Sequence, residues 1–138
     1  MARRAFIKNR FICLKSPVLP RIVFTVTNDL SYDQRMIRIC SSLAENGYDV
    51  LLVGRKRRSS IPLTEKTFRQ KRLNCWFDRG ALFYAEFNIR LFLFLLTRKA
   101  DAICAIDLDT ILPVLYISRL KKINRIYDAH ELFCEMKE

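Results

Sequence analysis

The chain has 138 residues, of which 51% are hydrophobic, with only three glycines and four prolines, so it can bury one core and is neither disordered nor of low complexity. Its formal net charge of +11 is uneven: residues 1–20 carry +5, residues 55–72 carry +7, and the remainder sums to −1. Such patches on a neutral core either are solvated loops or attract nucleic acid, anionic lipid headgroups or a phosphorylated ligand.

Five cysteines (Cys13, Cys40, Cys75, Cys104, Cys134) show no CxxC or other metal spacing. An odd number of scattered, core-like thiols suits a reducing cytosol and the role of small buried hydrophobes, not a disulfide framework. No internal repeat is present. Residues 1–20 form a basic arm that ends in Ser-Pro-Val-Leu-Pro. Its longest apolar run, Phe11-Ile-Cys-Leu14, is too short for a signal-peptide core or a membrane span.

Residues 22–27 form a short β-branched and aromatic run, too apolar for a surface strand. From Met36 the apolar positions 36, 37, 39, 40, 43 and 44 follow helical spacing. Ser31 with Gln34 makes a capping box for this helix, or Asp33 caps it instead, and Gly47 fits the left-handed stop after it. Residues 50–53 are again continuously apolar, in a strand expected over 49–53. Strand, helix and strand with short connections predict a right-handed βαβ unit whose strands are buried on both faces.

Arg55-Lys56-Arg57-Arg58 opens a basic loop and is the candidate membrane- or anion-binding cluster. Residues 67–73 alternate weakly and fit an edge strand protected by its charges. Residues 81–97 predict a long apolar helix with Glu86, Asn88 and Arg90 on its polar side. A crossover helix packed on the sheet accounts for it; a helix dipping into a membrane interface is the other reading. Residues 102–106 are a further buried strand, followed by Asp107-Leu-Asp-Thr110 and a helix over 111–120 that tolerates Pro113 in its first turn. Residues 125–128 are a fifth strand, leading into Asp128-Ala-His-Glu-Leu-Phe133 and the start of another helix.

The expected architecture is α/β: a Rossmann-like, doubly wound, mostly parallel sheet over residues 21–138. In such a sheet the loops at the strands' carboxyl ends form the ligand crevice, above all where strand order reverses. Those loops place Asn28, Asp29, Asp33, Asp107, Asp109, His130 and Glu131 at one cleft. Asp33 and Asp109 are equally well placed to be helix N-caps. His130, the single histidine, follows a strand read as buried and is the best candidate for catalysis. The dinucleotide fingerprint GxGxxG, the phosphate loop GxxxxGK[ST], the nucleophile elbow GxSxG and any His/Cys metal set are missing from the sequence.

Four blocks carry a family resemblance: Val-Thr-Asn-Asp-Leu-x-x-Asp-Gln-Arg (26–35), Leu-Ala-Glu-Asn-Gly-Tyr-Asp-Val (43–50) with Leu-Val-Gly-Arg (52–55), Ala-Ile-Asp-Leu-Asp-Thr (105–110) and Tyr-Asp-Ala-His-Glu-Leu-Phe (127–133). In this order they resemble the N-terminal domain of family 4 glycosyltransferases, retaining enzymes of the two-domain GT-B fold. The resemblance implies an acceptor-binding half for a glycan or lipid-linked acceptor, with the nucleotide-sugar donor and an E-x7-E pattern belonging to a C-terminal half. Neither that half nor E-x7-E is in this sequence, so the resemblance implies a truncated or split transferase, inactive alone, whose missing half a separate chain would supply.

His130 matches the family's cleft histidine, and the Asn28–Asp33 positions match its first loop, although the family's frequent glycine is missing there. The family reaction needs no metal and no cofactor beyond the donor, so the resemblance gives the Asp107/Asp109 pair no metal role. The basic segments and the apolar helix fit a cytoplasmic protein held peripherally at an anionic inner membrane face. The rival reading is a non-catalytic Rossmann-like module for nucleic acid or anionic membrane. Few aromatics (Phe68, Trp76, Phe77) accompany the charges, which argues against a base-stacking platform. A flavodoxin-like or receiver domain would place an adjacent acid pair after the first strand, where Asn28-Asp29 offers only one acid.

Overall fold

The computed structural model describes residues 19–129; the basic arm up to residue 18 and the candidates His130 and Glu131 lie outside it. Five strands alternate with three helices: β1 (Arg21–Asp29), α1 (Gln34–Glu45), β2 (Asp49–Lys56), β3 (Arg69–Asn74), α2 (Gly80–Thr97), β4 (Ala102–Ile106), α3 (Ile111–Lys121) and β5 (Asn124–Asp128). All strand pairs are parallel, in the order β3-β2-β1-β4-β5. The fold is therefore the expected α/β Rossmann-like sheet, and order reverses between β1 and β4.

The pleat divides the core in two. Val23, Leu51, Val53, Ile103 and Ala105 face α2 and α3, which supply Phe83, Phe87, Leu91, Leu95, Val114 and Ile117. Phe24, Val26, Val50, Leu52, Cys104 and Ile106 face α1, which supplies Met36 and Cys40. Both buried thiols are held protonated: burial, followed by Asp33 and Cys104, raises the Cys40 pKa to about 12, and burial, followed by Asp128, raises that of Cys104 to about 11.

Two expectations need correction. Ser31 makes no capping box. Asp33 is the N-cap of α1, its Oδ1 accepting from the Met36 N–H at 3.1 Å, while the Ser31 hydroxyl is bonded to Arg72. The fifth strand is also not buried. β5 lies at the edge with β4 as its one strand neighbour, and Asn124, Arg125, Ile126 and Tyr127 are all exposed among the described residues.

Candidate functional site

The carboxyl ends of β1 and β4 meet at the reversal point, and each carries polar side chains. Thr27 Oγ1 donates to Asp109 Oδ2 at 3.2 Å, tying the two loops across the crevice. Below it, Thr25 and Thr110 are fully buried, their hydroxyl oxygens 3.0 Å apart. The Thr110 hydroxyl also reaches the carbonyls of Thr25 and Ile106, so this hydrogen-bonded pair fixes the start of α3 against β1. Asp109 therefore does not cap α3. It stands exposed in a 3-10 turn (Leu108–Thr110), and Thr110 holds the cap position without a side-chain bond.

Asp107 opens that turn at φ 59 and ψ 174, a backbone region that is otherwise almost confined to glycine. Its N–H donates to the carbonyl of Asp128 at 3.0 Å, so pairing to β5 holds the strained residue in place. A non-glycine residue in this conformation, directly after a central strand, is the kind of strain that concentrates at functional loops.

Asn28 is exposed at the end of β1 and shares a cavity of about 280 Å³ with Asp29, Tyr32, Asp33, Gln34 and Arg57. Two of its acids are already engaged, Asp33 by the cap and Asp29 by a buried cluster. Asp29 accepts from Arg72 at 2.8 Å, from the Ser31 N–H at 3.1 Å and from the Ser60 hydroxyl. Burial alone would raise its pKa, but the Ser60 hydroxyl, the Ser31 amide and Arg72 outweigh it and hold the carboxyl below its ordinary 3.8. Asp29 thus acts as the brace of the first loop, and the open groups facing the cavity are Asn28, Tyr32, Gln34 and Arg57.

The basic run divides in the same way. Lys56, Arg57 and Arg58 are exposed and, with Asn74, Trp76 and Asp78, line an adjoining concavity of about 260 Å³. Arg55 does not join them. It is buried, its guanidinium 4.3 Å above the Phe83 ring and Nη1 donating to the Asp78 carbonyl at 3.2 Å. The reason is strand parity: β2 runs on to Lys56, so Arg55 shares the inward face of Val53.

Sequence reasoning missed the bond between two of its own blocks. Arg35, at the start of α1, pairs with Asp128 at the end of β5 at 2.7 Å, bringing the Asp-Gln-Arg and Tyr-Asp segments together over the β4 edge. It also did not single out Thr27 and Tyr32, and it noted Trp76 only as an aromatic beside the charges, not as part of a concavity. A further concavity, about 380 Å³, lies at the opposite end of the sheet, where Arg69 and Asp49 neutralise each other through a bidentate pair. No candidate residue lines it.

These features define a Rossmann-like domain with a polar crevice at its crossover point. No protein-family model matches the chain, and no curated protein does. Among solved structures, the fold matches the C-terminal domain of PF1911 hydrogenase from Pyrococcus furiosus at TM-score 0.60 and 11% identity, over 80% of this chain and 91% of that one. It also matches a UGT transferase from Siraitia grosvenorii, solved in complex with UDP, at TM-score 0.54 and 8% identity, over 79% of this chain and 27% of that one. The glycosyltransferase SnogD from Streptomyces nogalater aligns at TM-score 0.45 and 17% identity, over 80% of this chain and 25% of that one. The chain spans about a quarter of each transferase, and identities this low show a shared Rossmann-like α/β fold alone.

Proposed function

We propose that residues 21–138 are the acceptor-side half of a family 4, GT-B glycosyltransferase, completed by a second Rossmann-like half that binds the nucleotide-sugar. What supports this reading is the crevice at the β1/β4 crossover, where Thr27 at the end of β1 bonds to Asp109 after β4, on loops whose sequence resembles the family's motif blocks. In this reading Asn28 and Asp109 hydrogen-bond acceptor hydroxyls, Arg57 faces an anionic group, and His130, by its place in the Asp-Ala-His-Glu block, contacts the reacting sugar or phosphate. In this reading the donor site belongs to the second half, and transfer needs both.

The test is to co-express the chain with a second half encoded beside it and to follow nucleoside diphosphate release from a nucleotide-sugar. Activity is expected from the pair only. His130→Ala should lower turnover per folded molecule by about 100-fold, the scale of a lost transition-state contact. Asn28→Ala should raise KM for the acceptor. Full turnover by the 138-residue chain alone would refute the half-domain reading, and normal turnover in His130→Ala would remove that residue from the site.

A further inference from the structure

Helix α2 buries one face and leaves the opposite face apolar. Its buried residues, Phe83, Phe87, Leu91 and Leu95, repeat every four positions against the sheet. The outward positions Leu82, Ile89, Leu93 and Leu96 repeat by seven, four and three, which puts them on a single stripe. Ile89 and Leu93 are 62% and 56% exposed. The polar residues of the helix keep to its flank: Glu86 pairs with Arg90 at 2.7 Å and accepts the N–H groups of Trp76 and Phe77. A helix apolar on both faces belongs in a core or against lipid, and among the described residues one face of α2 is in the core.

The neighbouring helix repeats the pattern. α3 packs beside α2 on the same sheet face and exposes Leu112, Tyr116 and Leu120, again at helical spacing. The carboxyl ends of the two helices are tied by Lys121, whose Nζ donates to the carbonyls of Leu95 and Arg98. Around the ends of this two-helix surface stand the exposed cations Arg79, Arg98, Lys99, Arg119 and Lys122. The exposed acids at the same ends are Asp78, Asp101 and Asp109, of which the Asp101 carboxylate already accepts from the Arg21 N–H and the Asp109 carboxylate from the Thr27 hydroxyl. Apolar centre, cationic rim and a flanking tryptophan together match the interface of an anionic bilayer. Another protein copy with the same positive rim would be repelled.

We propose that the outer face of α2 and α3 docks this domain on an anionic lipid surface, with α2 lying in the plane of the headgroups. Leu82, Ile89, Leu93 and Leu96 enter the acyl boundary, and the rim cations meet lipid phosphates. This is independent of any transferase role.

The experiment is flotation of the full 138-residue chain with phosphatidylcholine vesicles, with and without phosphatidylglycerol, at low and high salt. Binding is expected only with phosphatidylglycerol, with loss at high salt and a blue shift of the emission of Trp76, the single tryptophan. Ile89→Glu with Leu93→Glu, both at exposed positions, should weaken binding at least about tenfold while leaving the melting temperature in place. Arg98→Gln with Lys99→Gln offers a second variant that spares the apolar face and should weaken binding to the anionic vesicles. Vesicle binding unchanged in both variants would overturn the proposal, because the basic arm would then carry it. So would a wild-type chain that ignores lipid and forms a dimer which the Glu variant dissociates.

Discussion

Asp29 at the end of β1 and Arg72 on β3 form a buried ion pair at 2.8 Å, with side chains only 5% and 9% exposed, across the intervening strand β2. Removing one member leaves a charge in the interior without its partner. Asp29→Ala should cost about 3 kcal/mol, read as a lower urea midpoint with unchanged slope. Arg72→Met combined with Asp29→Asn should recover part of that loss, because neither charge is then stranded.

The same carboxylate gives a pH dependence with a defined sign. Its folded pKa lies below the ordinary 3.8, so the stability it contributes is present above that value and is lost as pH falls through the folded pKa. Unfolding free energy measured from neutral to strongly acid pH should fall below about pH 4 in the native chain. The corresponding curve of Asp29→Asn should start lower and be flatter in that window.

Gly54 lies directly beneath the first loop. A Cβ added there would meet the Asn28 carbonyl oxygen at 2.7 Å and the Leu30 side chain at 2.4 Å. The carbonyl is backbone and cannot swing aside, so Gly54→Ala must lift the loop. The expected cost is about 1–3 kcal/mol, the usual range for overpacking, measured by thermal unfolding. Amide shifts at Asn28 and Asp29 in a heteronuclear NMR spectrum should move with it.

Asp107 inverts the usual order of alanine and glycine. Replacing it by either residue removes the same side-chain interactions, but only glycine relaxes at φ 59. Asp107→Gly should therefore be more stable than Asp107→Ala by about 1 kcal/mol, where an ordinary strand or helix site would give the reverse. Paired denaturation curves of the two variants measure the difference.

The strands were legible because continuous apolar and β-branched runs at 22–26, 50–53 and 102–106 can be satisfied only by burial on both faces. The strand expected at 67–73 appears at Arg69–Asn74, its start displaced because Phe68 turns into the α1-side core before pairing begins. Asp33 was legible as a cap because a cap is a local matter of three residues. Asp29 and Ser31 were not. In sequence they read as an exposed polar loop, and their partner Arg72 lies 43 and 41 positions away. Arg55 was hidden within a run of four cations, since its inward face depends on where β2 ends. The exposure of β5 depends on what covers it, which five residues of sequence do not encode.

The two margins of the sheet differ, which gives the domain a direction of growth. On the β3 side, Arg69 is paired with Asp49 and Arg72 with Asp29, and exposed Lys71 is the open charge that discourages a further strand. On the β5 side, among the described residues of the strand, Arg125 is the one cation, beside exposed Ile126 and Tyr127. Backbone addition, whether by a further segment of a longer chain, an extended peptide or a misfolded neighbour, is thus steered to one margin. Concentrated solutions should accordingly thicken through end-on stacking at β5, and a lysine placed at position 126 would be the simplest way to keep them clear.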